Sequence, residues 1–295
     1  FNKNKLTKLH ADTFKKLTKI IEINLYNNKI ESIDVKLFET CHSFKRVYLN
    51  NNNLTSVHPD TFKKLTKLTR LYLNNNQIDA IDGKLLETCC NLEWLYLDNN
   101  KLTKLDINIF KQLTNLTELR LHNNQIENID WKAFETCSNL QKLWLYNNKL
   151  LNLHQDIFKQ LTNLTELRLE NNQIETIDEK AFNTCSNLEI LRLDNNKLIS
   201  LHQDTFKQLT NLTVLRLSNN QLKTIDVKLF KACNNLKILD LGNNRIEKID
   251  NFGFEACLYL ERLYLNNNKL ESLDAFTFKQ FNKLNQLDLS NNKLD

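Results

Sequence analysis

Tyr48, Tyr72, Tyr96, Arg120, Trp144, Arg168, Arg192 and Arg216 form a series in which each residue follows the last by 24 positions. Trp94, His122 and Tyr146 stand two positions from members of it. Their chemistry is that of recognition. Tyr, Trp and Arg are large, rigid or planar, and half-polar, and they are concentrated at the energetic hot spots of binding surfaces. Strand propensity alone places aromatics on any strand, but it does not select arginine as the alternative at the same position. Six of the seven Tyr and two of the three Trp share these columns, whereas eleven of the sixteen Phe occupy a separate one. The series also changes character along the chain. Tyr48, Tyr72, Trp94 and Tyr96, with Arg46 and Arg70 beside them, suit apolar or planar groups and sugars by stacking. Arg168, Arg192 and Arg216 repel one another unless Glu166, Glu170 and Asp194 or an anionic ligand neutralise them. Arg120, His122, Trp144 and Tyr146 mark the change, and ligand contact is expected there first.

Bond-making chemistry is not expected. No G-x-S-x-G, H-E-x-x-H, phosphate-loop or G-x-G-x-x-G run occurs, and three glycines are too few to cradle a phosphate. No Cys/His set has zinc spacing. Asp82, Asp106 and Asp130 read as solvated carboxylates rather than a cation site. Neither a catalytic residue, a metal nor a cofactor is predicted.

Residues 24 apart meet only if the chain winds in equal coils. Asparagine supplies the ruler, recurring without insertion or deletion at Asn4, Asn28, Asn52 and every 24 residues thereafter to Asn292. A fixed period of this length is the signature of a stacked solenoid. Leu119-x-Leu121 alternates with period two, so each coil contributes one short strand with a buried face. Stacked strands make a parallel sheet with about 4.8 Å between neighbours. The segment Phe134-x-x-Cys137 is too short for a full helix and predicts a 3₁₀ or loose helical turn.

The unit Leu116-x-x-Leu119-x-Leu121-x-x-Asn124-x-Ile126 resembles the leucine-rich repeat, and the resemblance runs the length of the chain. Eleven full repeats lie at 20–283, with partial repeats at both ends, and the 24-residue spacing is similar to that of extracellular receptors and adhesion proteins. The resemblance implies an α/β solenoid: a horseshoe with a concave parallel β-sheet and a convex side of short helical turns and loops. It implies that the thirteen ruler asparagines turn inward to bond backbone groups, and that the Tyr/Trp/Arg columns line the concave face. One solenoid domain over 1–295 is expected. Its function is expected to be non-enzymatic recognition of a protein ligand. A pattern-recognition role toward glycans or microbial ligands, as in innate immunity, and a homotypic structural or adhesion role are the alternatives.

Composition narrows the partners. Net charge is +5 over 295 residues with Lys interleaved among Asp and Glu, which argues against a nucleic-acid footprint. No apolar run is long enough to span a bilayer, so this segment is not expected to contact a membrane. The chain starts within a repeat and shows no capping segment, which predicts a piece of a longer extracellular or cell-surface protein. Asn53, Asn115, Asn163 and Asn211 open N-x-Ser/Thr sequons for N-glycosylation, although Asn-Leu-Thr is also a natural product of the repeat.

Cys41, Cys89, Cys137, Cys185, Cys233 and Cys257 alternate with Leu at one repeat position and read as buried hydrophobes, whereas Cys90 reads as exposed. Only Cys233 and Cys257 lie on adjacent coils, where a disulfide could form. A second grammar has period 48, placing His58, His154 and His202 between aspartates of neighbouring coils and Asp156 between Lys132 and Lys180. This predicts a structural charge ladder with raised His pKa values. The alternation fails once, setting Asp226 over Asp250 and Phe252 beside Phe276.

Overall fold

Alternation of buried and outward residues gives every coil one short strand. The computed structural model describes residues 1–226, 228–249, 252–274 and 276–295, and the Asp226/Asp250 overlay lies outside them. Two compact units are present, Phe1–Asn148 and Lys149–Asp295. In the first, strands β1 (Glu22–Asn24), β2 (Arg46–Tyr48), β3 (Arg70–Tyr72), β4 (Trp94–Tyr96), β5 (Glu118–Arg120) and β6 (Lys142–Trp144) pair in that order. The second holds β7 (Asn152–Leu153), β8 (Glu166–Arg168), β9 (Thr176–Ile177), β10 (Ile190–Arg192), β11 (Val214–Arg216), β12 (Thr224–Ile225), β13 (Ile238–Asp240), β14 (Lys248–Ile249), β15 (Arg262–Tyr264) and β16 (Gln286–Asp288). There β8, β10, β11, β13, β15 and β16 pair as neighbours, while β7 with β9 and β12 with β14 form small separate ladders. All pairing is parallel with a register step of 24, so Tyr48 faces Tyr72 and Arg192 faces Arg216.

The middle residue of each three-residue strand from β1 to β15 is buried, whereas Leu287 of β16 is exposed; Leu119, Leu143, Leu167 and Leu191 are completely buried. Each such leucine contributes about 1.5–3 kcal/mol by leaving water. Behind them the Phe column stacks, with Phe14–Phe38 centroids 6.1 Å apart and Phe110–Phe134 5.7 Å apart. Leu86 takes the Phe position once and is equally buried. The six repeat-position cysteines lie in this core as free thiols. Burial pushes Cys89, Cys137, Cys185 and Cys257 up to about 12, so they behave as small hydrophobes. Cys90 is exposed, and Cys233 and Cys257 are unbridged.

The ruler asparagines close the coils. Asn52 donates through Nδ2 to the carbonyls of Leu25 and Leu49, both at 3.0 Å, and its Oδ1 accepts from the Ile30 N–H at 3.0 Å. Eleven of these residues, Asn28 to Asn268, are buried and fully engaged, as a buried amide must be. Asn4 is exposed and bonds only to carbonyls of the first turn. The asparagine preceding each ruler position, from Asn27 to Asn291, carries another burden: φ between 53° and 56°. The coil must turn sharply out of its strand there, and asparagine tolerates the left-handed region better than other side chains.

The α/β expectation is corrected on the side away from the strands. Among the described residues only Ala11–Phe14 forms a helical turn, of the 3₁₀ type. In the later coils the three-residue bonds fall on alternate residues, as in Leu37 N–H to Asp34, Glu39 to Lys36 and Cys41 to Phe38. Successive amides are therefore not bonded and no helix propagates. The architecture is a β-solenoid whose connections are turns.

The expected His/Asp charge ladder also takes a different form. His58 Nδ1 accepts the Asp60 N–H at 3.1 Å, and Asp34 Oδ1 accepts the Lys36 N–H at 2.8 Å. His154 and His202 repeat the first contact, and Asp82, Asp130 and Asp178 the second. Nδ1 and Oδ1 stand two bonds from Cβ, so the two residue types are interchangeable caps for the same turn. Ion pairs at that edge run within a coil in Lys63–Asp60 at 3.6 Å and Lys159–Asp156 at 3.7 Å, and between coils in His202–Glu179 at 3.3 Å. Phe252 and Phe276 are 59% and 55% exposed.

Candidate binding faces of the strands

Parallel register brings like columns side by side, and in the first unit this builds a continuous aromatic and arginine array. The Tyr48 and Tyr72 rings stack with centroids 4.5 Å apart and an angle of 5°, and Tyr96 meets Tyr72 edge-on at 4.9 Å. Trp94 is parallel to Tyr96 at 6.3 Å, and the Arg70 guanidinium lies 3.8 Å from the Trp94 ring centre. Arg120 fits between two rings, 4.0 Å from Tyr96 and 4.1 Å from Trp144. Glu118 fixes this cluster from within the strand. It bonds Arg120 at 2.6–2.7 Å and accepts the Tyr96 hydroxyl at 2.8 Å. Burial, followed by that hydrogen bond, pushes the Tyr96 phenol well above its usual range, and burial does the same more mildly to Tyr72. Planar guanidinium on aromatic faces is a favourable cation–π geometry.

His122 stacks on Tyr146 at 4.2 Å and is only 6% exposed, with Nε2 3.5 Å from Asp98. It supports Tyr146 from below the surface. Asp98 is itself buried, which raises its pKa, while Asn99 and Arg120 pull it back down. Trp144 and Tyr146 lie 6.4 Å apart, and both are half-buried.

The second unit uses the same positions differently. Arg168 bonds Glu166 at 2.6 Å. Arg192 takes Asp194 in two bonds, at 3.1 and 3.2 Å, and reaches Glu170 at 3.3 Å. Glu166, Glu170 and Asp194 are 9%, 4% and 5% exposed, so their charges lie beneath the arginines. Burial raises the Glu170 pKa, with Arg192 opposing it. Asp240 sits opposite Arg216 in register, yet it accepts from Ser218 Oγ at 2.9 Å and from the Gly242 N–H at 3.1 Å. Arg216 has no carboxylate partner among the described residues.

Sequence reasoning grouped the Tyr, Trp and Arg columns as the structure does within each unit. It did not find the supporting acids, Glu118 and Asp98, although the repeated Glu-Leu-Arg triplets at 118–120 and 166–168 signal the same-strand pairing. Of the sequons, Asn115, Asn163 and Asn211 are exposed and Asn53 is half-buried. Asn115 Nδ2 also donates to the Cys90 carbonyl at 3.1 Å.

Residues 103–237 match the family described as BspA type Leucine rich repeat region, in six copies, and residues 42–102 and 234–294 match Leucine rich repeat. The chain belongs to the leucine-rich repeat family. Among solved structures, the APL1 leucine-rich repeat domain is 23% identical with a TM-score of 0.85, over 98% of this chain and 73% of that one. The leucine-rich repeat protein LIC12759 of Leptospira interrogans is 28% identical with a TM-score of 0.79, over 96% and 76%. TLR13 in complex with ssRNA13 is 22% identical with a TM-score of 0.69, and the chain spans only 52% of its length. With an RNA complex on this leucine-rich repeat fold, the fold gives no ground for the expected exclusion of nucleic acid. No curated protein sequence matches the chain. No helix among the described residues is long and apolar enough to cross a membrane.

Proposed function

We propose that this chain is a non-enzymatic recognition module of an extracellular leucine-rich repeat protein, and that it binds a protein through the strand face of its first unit. The observation that carries this reading is the array running from Arg70 through Trp94, Tyr96 and Arg120 to Trp144. Its members pack on one another yet remain half-exposed, which is the state of a preorganised hot-spot surface. Toll in complex with Spatzle and LRIM1 in complex with APL1C share the fold, so protein partners are consistent with it. Protein is favoured over glycan or a single-stranded nucleic acid because stacking ligands need open ring faces. Here Tyr48 and Tyr72 cover one another, and arginines lie over Trp94, Tyr96 and Trp144.

Surface plasmon resonance against a panel of extracellular proteins, beside a glycan array and single-stranded RNA, tests this. Tyr96→Ala and Trp144→Ala are expected to weaken a protein partner by about tenfold or more each, as hot-spot truncations do. Trp131→Ala, an exposed tryptophan outside the strands, is expected to leave binding intact. Glycan or RNA binding that is lost with the same two variants would overturn the assignment of protein.

A further inference from the structure

The strand-face arginines are not equivalent. Arg46 pairs with Glu22 at 2.9 Å, Arg120 with Glu118, Arg168 with Glu166, and Arg192 with Glu170 and Asp194. Arg70 has no carboxylate within ion-pair distance among the described residues. It nevertheless has a defined orientation, half-buried with its guanidinium over the Trp94 ring, 3.8 Å from the ring centre. Its register neighbour is Arg46, so β2 and β3 set two guanidinium groups side by side with one carboxylate, Glu22, between them in number.

We infer that Arg70 is the anchor for a carboxylate in an acidic segment of a protein partner. This deepens the reading of the first unit as a protein-binding face and rests on it. A guanidinium stacked on an indole offers its in-plane N–H edge, and two parallel N–H donors match the two oxygens of one carboxylate. Because Trp94 already fixes that plane, little side-chain freedom is lost when the anion arrives. Tyr72, two positions from Arg70 on the same strand, stacks face to face on Tyr48, and aromatic rings carry positive edges. Shape and charge therefore agree on a planar anion. Arg216 and Arg262 are the other strand-face arginines without a carboxylate; neither has a ring contact among the described residues, and Arg216 serves as the internal control.

The test uses the full chain with an octaglutamate peptide as probe, beside sialyllactose and inorganic phosphate. Binding is measured by calorimetry near physiological ionic strength, where exposed charges are screened beyond about 8 Å. The wild type is expected to bind octaglutamate in preference to the other two anions, with the Arg70 side-chain N–H resonance shifting on titration. Arg70→Gln is expected to weaken binding by about tenfold, and Arg70→Lys not to restore it, since an ammonium neither stacks nor forks. Arg216→Gln and Lys142→Gln are expected to change affinity by less than about twofold, the range of diffuse surface charge. Circular dichroism and thermal melting of each variant separate lost binding from lost fold. Failure of octaglutamate to bind, preference for sialyllactose or phosphate, equal losses in all three Gln variants, or rescue by lysine would each overturn the anchor. If Arg70→Gln is silent while Tyr96→Ala and Trp144→Ala still abolish a protein partner, the face stands and only the acidic anchor falls.

Discussion

The two units share one backbone plan and put different chemistry on it. In the first, outward strand positions hold rings, and Arg70 and Arg120 lie on those rings, Arg120 also bonding Glu118 while Arg46 pairs with Glu22. In the second, the same positions hold Arg168 and Arg192, each tied to a carboxylate lying below the surface. The solenoid supplies register and spacing in both cases. What differs is where each arginine finds its stabilisation. Arg70, stacked on a ring with no carboxylate beside it, keeps hydrogen-bonding capacity for a partner, whereas Arg192, clamped between Glu170 and Asp194, has spent it internally. The comparison teaches that an arginine column is not in itself a ligand site; the carboxylates around it decide.

The largest effect should come from the scaffold and should be the same in both units. Asn100→Ala and Asn196→Ala each remove donors to carbonyls of two coils and an acceptor for an N–H of the preceding coil, leaving buried groups unpaired. Each substitution is expected to cost about 3 kcal/mol in denaturant unfolding. A marked difference between them would mean that the two units are not the same scaffold.

Next in size is the contrast between arginines. Arg192→Ala strands two buried carboxylates and is expected to cost about 2 kcal/mol, below the full penalty of a buried pair because its side chain is 26% exposed. Arg70→Gln leaves no carboxylate behind and should cost under about 1 kcal/mol, the value of an exposed cation–π contact. Paired unfolding curves check this, and similar losses at the two positions would erase the proposed division of labour.

A smaller effect concerns pH. Burial raises the folded-state pKa of Glu170 above its ordinary 4.5 and that of Asp98 above its ordinary 3.8. Between the ordinary and the raised value the native state holds a proton that the unfolded chain has released. Stability should therefore fall as pH rises through that window and level off above it. Glu170→Gln and Asp98→Asn should each flatten part of the slope in unfolding measured from pH 3 upward, a range chosen to begin about one unit below both ordinary values. An unchanged slope would show that neither carboxyl is as desolvated as its position implies.

Much of this was legible along the chain. The asparagine ruler, the Leu-x-Leu strands and the cysteines exchanging with leucine are repeated constraints, and repetition averages out local ambiguity. The Tyr/Trp/Arg columns could be aligned for the same reason. The turns were harder. Phe-x-x-Cys fits a helical turn equally well, and only the pattern of bonded amides shows that none propagates. His58 and its counterparts looked like members of a charge ladder because charge can be read from sequence, whereas the direction of Nδ1 toward a backbone N–H cannot. His122 looked like a surface contact because its column alternates outward. Its burial follows from the size of Tyr146 stacked on it, which is a fact about two coils.

Sequence by itself determined the period, the inward face, the capping positions and which residue types share a column, since each follows from spacing and from what a coil of fixed length must bury or bond. Tertiary structure decided which arginines are neutralised and which aromatic faces remain open. Those outcomes depend on side-chain rotamers and on distances of 2.6–4.0 Å, some between residues 22 to 24 positions apart and some between residues two apart on one strand. At that range a carboxylate one column over captures a guanidinium or misses it, and spacing along the chain does not encode the difference.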